Sequence, residues 1–313
     1  MPTPGLEHIK PRQWLSISTL AEYARCPRKA FLHAMCRFTN PGETKAAMDF
    51  GTAMHIATPL VLQGVPALKA HESFLQYWDT NNNIRDYNPR TALAMLNSLE
   101  ANHSITKLYT PTPPPEGTLQ FSPESGRSPL EVPFFIDLGL KLPLFGWIDL
   151  IVKNNTTSDL WVVDIKTSGR SGTTSFSDAF TIHPQTYGYC VAMRAHGLNV
   201  RGTLILGGKV SGSQPQWSCE PYYIRDDQME DFTSWARLQG ERLLADWHAG
   251  QWTKNISACT AYPQHYTYGG KCHFIEHCKV PDWTTLSHML SSQPSPMDAE
   301  IQRLEKRLSG TTS

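Results

Sequence analysis

The sequence has little charge and no surplus of either sign: charged residues are 18 %, and 28 Lys+Arg balance 28 Asp+Glu. A blanket basic coat is excluded, so any grip on a polyanion must come from a local patch. No apolar run is long enough to cross a bilayer, and the first residues, MPTPGLEHIKPRQWL, lack the apolar stretch of a secretory signal. Cysteine is scarce and odd in number, seven in 313 residues. A cytoplasmic protein is expected, in which clustered cysteines hold metal more often than they pair. A phosphate-binding Gly-x-x-x-x-Gly-Lys-Ser/Thr loop is missing: Gly207-Gly208-Lys209 and Gly269-Gly270-Lys271 lack the frame and the hydroxyl. No motor of that class is expected within this chain. Internal repeats are absent too. What is present is a globular composition, 40 % apolar, with length for one large domain or two modest ones.

Charge is uneven along the chain. Residues 1–45 carry seven Lys/Arg against three Glu, whereas residues 226–246 carry six acids and two arginines. Residues 16–37 read as helical, with Thr19 and Glu22 at capping-box spacing. Gly51 opens a second helical stretch, Thr52 to Leu62, and residues 67–109 continue in helical style around an Asn81-Asn82-Asn83 turn. Residues 110–129 are rich in Pro, Gly and Ser and read as a loop. Strand-like runs follow at Leu130–Leu140, Leu144–Val152 and Leu160–Lys166, then a helix at Pro184–His196 and strands at Arg201–Leu206 and Trp217–Ile224. Asp226 starts a further helix, and a short amphipathic one fits the chain from Pro296. Four regions are expected: a helical region 1–129, a core 130–225, a helix with cysteines 226–284, and a tail 285–313.

The core carries the chemistry. Asp149 sits in the apolar run Gly146-Trp147-Ile148-Asp149-Leu150-Ile151, and Asp164 in Val162-Val163-Asp164-Ile165-Lys166. Burying an unpaired carboxylate costs several kcal/mol, so two such strands need compensation, which a shared divalent cation supplies. Asp164 and Lys166, two apart on a strand, project from one face and set an ammonium beside the carboxylates. On the following helix, Gln185 and Tyr189 are one turn apart. Upstream, Phe50-Gly51-Thr52-Ala53-Met54-His55 sets a histidine on a helix.

His55, Gly146/Asp149, Asp164-Ile165-Lys166 and Gln185/Tyr189, in that order, resemble the PD-(D/E)XK nuclease superfamily, and within it the RecB-like branch that includes the Cas4 and AddB nuclease domains and phage exonucleases. The resemblance implies an α/β (α+β) fold: a central mixed β-sheet of the restriction-endonuclease-like core, flanked by helices. It also implies Mg²⁺ or Mn²⁺ held by His55, Asp149, Asp164 and the Ile165 backbone carbonyl, with Lys166 as the catalytic amine and Gln185 and Tyr189 beside it. Glu131 matches a common acidic position of relatives, without a firm role.

The same branch is stapled by an iron–sulfur cluster, and the chain ends resemble that arrangement. Cys26-Pro27 stands near the front, and Cys259, Cys272 and Cys278 near the back. Four thiolates suit a [4Fe–4S] cluster, and zinc is the alternative, with His273 or His277 able to replace a thiolate. The twelve residues between Cys259 and Cys272 depart from the usual two. Cys36 rivals Cys26, while Cys190 and Cys219 read as buried bystanders. Arg25, Arg28, Lys29 and Arg37 would steer DNA phosphates, and Trp147, Tyr187 and Tyr189 read first as core residues and second as base-stacking rings.

The expectation is a metal-dependent DNA exonuclease of recombination, repair, phage replication or CRISPR adaptation. It would act on DNA with a free end, with a recombination or replication protein as a possible partner and no membrane. Strand preference, polarity and oligomeric state are open. The alternatives are a non-catalytic DNA-binding subunit and a zinc-stapled adaptor with the same fold.

Overall fold

The computed structural model describes residues 14–36, 38–39, 46–78, 87–114, 130–168, 183–210, 215–257, 272, 274–275, 277–279 and 291–292. Cys259, Arg37, His273, the Asn81–Asn83 turn and the helix expected from Pro296 lie outside them. The chain divides into two compact units, one of residues 13–18 and 44–240, the other of 1–12, 19–43 and 241–313. The first half contains α1 (Ile17–Arg25), α2 (Pro27–Ala30), a π-helical turn (Phe31–Met35), β1 (Phe38–Thr39), α3 (Ala46–Leu62), α4 (Ala67–Tyr77), α5 (Pro89–Glu100) and α6 (His103–Thr106). Then come β2 (Tyr109–Pro111), β3 (Leu130–Ile136), β4 (Leu144–Asn154), β5 (Leu160–Ser168), α7 (Pro184–Ala195), β6 (Val200–Lys209), β7 (Gln216–Tyr223), α8 (Asp226–Ala249), a 3₁₀ turn (His277–Lys279) and β8 (Ser291–Ser292).

The larger unit is built on a mixed, curled sheet in the order β2-β4-β5-β6-β7, with β3 also paired to β4. The β3–β4 and β4–β5 pairs are antiparallel, whereas β5 and β6 run parallel and α7 makes the crossover between them. This is the mixed sheet flanked by helices expected from the sequence. Helices α3, α4 and α5 cover one face, where Phe50, Met54, Phe74, Met95 and Leu99 meet Leu150, Val163, Ile165, Leu204 and Leu206. Trp217 Nε1 donates to the Met95 carbonyl at 2.8 Å, tying β7 to α5. Helix α7 lies on the opposite face, where Thr203 Oγ1 donates to the Thr186 carbonyl at 2.8 Å.

Local chemistry explains where the elements begin. Asn88 is extended and its side chain accepts the Thr91 N–H at 3.0 Å, with Pro89 at the first position of α5. His183 does the same for α7, accepting the Gln185 N–H at 3.3 Å before Pro184. Two expectations fail. α1 starts at Ile17, so Thr19 is buried inside it and is not an N-cap; the helical run then breaks at Cys26, whose backbone is extended because Pro27 follows. α3 starts at Ala46, so Gly51 lies within it, where a Cβ would stand 3.5 Å from Thr167 Oγ1.

A glycine inside α7 sets how closely the helix can be packed. A Cβ at Gly188 would stand 2.5 Å from Ile17 Cδ1 and 2.7 Å from the Phe232 ring. On propensity alone, Gly→Ala in a helix gains about 1 kcal/mol. Here the overlap should win: Gly188→Ala is expected to cost about 1–3 kcal/mol, read as a lower urea midpoint. An equal or higher midpoint would show that Ile17 and Phe232 yield freely.

Candidate active site

The ladder between β4 and β5 pairs Leu150 with Val163 and goes no further toward the start of β4. At the next position stand Asp149 and Asp164, both buried. Asp149 Oδ2 accepts the Ile165 N–H at 2.7 Å, so a carboxylate takes over where a backbone carbonyl of β4 stops. The same oxygen lies 3.4 Å from His55 Nδ1, on α3.

Asp164 and Lys166 share the face that α7 covers. Lys166 Nζ donates to Asp164 Oδ1 at 2.8 Å and to Gln185 Oε1 at 3.3 Å. Gln185 Nε2 in turn donates to Tyr189 Oη at 3.3 Å. Tyr189 is itself seated by Phe134, whose ring meets it edge-on at 5.8 Å. Phe134 pairs with Gly146 in the β3–β4 register, and a Cβ on Gly146 would stand 2.7 Å from its ring. Sequence reasoning missed Phe134. The signal that could have found it is an aromatic placed opposite a strand glycine, once the hairpin register is drawn.

The electrostatics separate the two carboxyls. Burial alone would raise Asp149, but His55, Lys166 and the Ile165 N–H outweigh it and hold its pKa below the ordinary carboxylate value. Asp164 moves upward: burial and the neighbouring Asp149 charge exceed the help from Lys166. Burial opposes charge on His55, yet Asp149 outweighs it and raises the imidazole above its ordinary value.

One atom is left over. Asp164 Oδ2 is buried and accepts no hydrogen bond from any described residue. A desolvated carboxylate oxygen without a donor is expensive unless a cation meets it. The donor set therefore fits a hard divalent cation, which takes oxygen ligands. No group of three or more His, Cys, Asp or Glu among the described residues forms a ready cage. Mg²⁺ does not need one, since it keeps several waters and binds through one or two carboxylates. Glu131 lies in β3, and its side chain is outside the described set.

In the smaller unit, Cys26 and Cys272 are buried and Cys278 is half-buried. Asn255 Nδ2 donates to the Arg25 carbonyl at 2.7 Å, and the Arg28 N–H donates to the Thr253 carbonyl at 3.1 Å, so the 253–255 segment brackets Cys26. Lys254 Nζ donates to the Cys278 carbonyl. Cys26, Cys272 and Cys278 form no metal-holding group among the described residues, and Cys259 lies outside them. Burial raises the Cys36 thiol far above its ordinary value, and pushes Cys190 and Cys219 up to about 12. Among the expected phosphate-steering cations, Arg28 is buried, Lys29 pairs with Glu22 at 2.9 Å, and Arg25 is half-exposed. Trp147 packs against Phe145, with ring centroids 4.5 Å apart, Tyr187 is half-buried, and Tyr189 is buried.

Two carboxylates and a lysine at the point where two antiparallel strands part, on a mixed sheet with a helical crossover, define a class of phosphodiester-hydrolysing folds. The profile of the PD-(D/E)XK nuclease superfamily matches residues 14–281, and the chain belongs to that superfamily. Its members generally use divalent metals such as Mg²⁺ or Mn²⁺. The fold is similar to the crystal structure of a "putative exonuclease" from Eubacterium rectale, at TM-score 0.50 and 10 % identity, over 85 % of this chain and 92 % of that one. SSO0001 aligns over 88 % of this chain and 90 % of its own at 13 % identity, with a TM-score of 0.34. No curated protein matches the chain. Among the described residues, no helix is long and apolar enough to cross a membrane.

Proposed function

We propose that this chain is a metal-dependent deoxyribonuclease of the RecB-like branch, acting as an exonuclease on DNA ends. The observation that carries the reading is the orphaned, buried Asp164 Oδ2 beside Asp149, with Lys166 held between Asp164 and Gln185. Exonuclease action is favoured over internal cutting by the resemblance to a branch that includes exonucleases and by the likeness in fold to a chain described as a "putative exonuclease".

Each side chain then has a task. Asp149, Asp164, His55 and the Ile165 carbonyl would hold Mg²⁺ or Mn²⁺, which supplies Lewis acidity toward the phosphate when bound. Asp149 is oriented by the Ile165 N–H; before the ion binds, His55 and Lys166 favour its charged form, and His55 would ligate the ion only as the neutral imidazole. Lys166 is aimed by two acceptors, so its ammonium can orient the attacking water and offset charge that develops on the phosphate. Gln185 and Tyr189 keep that lysine in place through one chain of hydrogen bonds.

A [4Fe–4S] staple on Cys26, Cys259, Cys272 and Cys278 belongs to the same proposal. It is supported by the hydrogen bonds that gather the Cys26 turn and the Cys278 carbonyl on residues 253–255. Closing a chain of this length through one cluster would contribute directly to folding free energy. Arg25, Arg28, Lys29 and Arg37 belong to the same proposal as cations near the staple that would meet DNA phosphates.

The reading is tested by incubating end-labelled linear and circular DNA with the protein and Mg²⁺ or Mn²⁺. Wild type should degrade linear DNA only. Asp164→Asn, Asp149→Asn and Lys166→Met should each lower turnover by about a hundredfold or more. Inert wild-type protein, or an Asp164→Asn variant that cuts as fast, would sink the enzymatic reading. The staple makes its own prediction: protein purified without air should be brown, and Cys272→Ser should bleach it and lower its melting temperature. Colourless wild-type protein carrying stoichiometric zinc would replace the cluster by a zinc staple.

A further inference from the structure

The carboxylate–lysine site ends at Lys166, but the strip of sheet beside it continues. β5 and β6 run parallel in continuous register from Val162↔Thr203 to Ser168↔Lys209. β7 then pairs with β6, setting Gln216 beside Lys209 and Ser218 beside Gly207. Partners in register project from the same face of a sheet. Asp164 and Lys166 face α7, so Gly207, Ser218, Ser168, Lys209 and Gln216 belong to that face too.

Two rows result. One runs Lys166, Gly207, Ser218; the next runs Ser168, Lys209, Gln216. Neither holds a carboxylate, whereas the row behind them, Asp164, Ile205, Glu220, holds two. Gly207 puts no side chain between Lys166 and Lys209. Lys209, Ser168 and Ser218 are half-buried and Gln216 is exposed, so the strip is reachable. Lys209 makes no ion pair with any described residue. Lys166 and Lys209 differ by one strand and two residues, so their Cα atoms are separated by about 8 Å. Helix α7 starts at this end of the sheet, shown by Gln185 beside Lys166, and adds the partial positive charge of its N-terminus.

We propose that this strip carries the phosphodiester backbone of the bound strand away from the reacting centre, with Lys209 gripping a phosphate next to the one that is cut. The proposal rests on the nuclease reading and names a binding residue for it. Lys209 touches neither carboxylate, so it is a substrate-positioning residue and not part of the hydrolytic chemistry. Its contact is to phosphate and carries no base preference.

The test uses full-length wild type, Lys209→Ala, Lys209→Gln and Lys209→Arg. Binding of a fluorescein-labelled single-stranded oligonucleotide is followed by anisotropy in Ca²⁺ over a range of KCl concentrations, and cleavage in Mg²⁺ gives kcat and KM. Lys209→Ala and Lys209→Gln should raise Kd and KM by about three- to tenfold and leave kcat within about twofold. Each should also flatten the dependence of log K on log[salt] by about 0.7, the slope of one phosphate contact on a single strand. Lys209→Arg should restore both. Salt slopes identical to wild type, or a fall in kcat with KM unchanged, would overturn the proposal. The two readings fail separately. Wild type that binds DNA with a Lys209-dependent slope but never cuts it removes the nuclease reading alone. Wild type that cuts DNA with a Lys209-independent slope removes only this one.

Discussion

The end of one backbone ladder governs the rest of the larger unit. Beyond Leu150↔Val163 the β4–β5 pairing stops, and Asp149 satisfies the Ile165 N–H in place of a main-chain acceptor. That substitution leaves two carboxylates buried side by side at one level of the sheet. Like charges so placed cannot both be stable without cations nearby. His55 answers Asp149, and Lys166 answers one oxygen of Asp164. The second oxygen of Asp164 has no donor among the described residues, so the fold itself leaves a requirement for positive charge at this point.

The packing around the carboxylates serves to hold Lys166 at one place. Its ammonium is fixed through Gln185, Gln185 through Tyr189, and Tyr189 through the ring of Phe134. Two glycines make this possible by leaving room. Gly146 lets the Phe134 ring lie over its strand, and Gly188 lets α7 approach Ile17 and Phe232. A methyl group at either position would meet carbon atoms well inside contact distance. The glycine of the Gly-Trp-Ile-Asp run is therefore a packing residue that acts on the site through an aromatic ring.

Much of this was legible in the sequence because the relevant periods are short. Asp164 and Lys166 share a face by strand alternation, and Gln185 and Tyr189 meet by helical spacing; both pairs are joined by hydrogen bonds in the structure. The succession of strands along the chain and the α7 helix between them were readable from apolar runs and the Pro184 start signal. What escaped depends on pairing between distant segments. Phe134 opposite Gly146, and Lys209 beside Ser168, follow from ladder register, which local composition does not specify. The start of α3 was misplaced because Gly51 reads as a boundary, whereas it is an interior residue facing β5 across a short gap. Neutral overall charge pointed away from a polyanionic substrate, yet the face beyond Asp164 holds lysines and neutral polar groups without a carboxylate.

In the proposed function, the unmatched oxygen of Asp164 meets a divalent cation. A crystal grown with Mn²⁺, measured at a wavelength where manganese scatters anomalously, tests it most directly. An anomalous peak about 2 Å from Asp164 Oδ2 and within reach of Asp149 is the predicted result. A well-ordered site with no such peak, and with a protein N–H or a lysine ammonium bonded to that oxygen, would contradict the account.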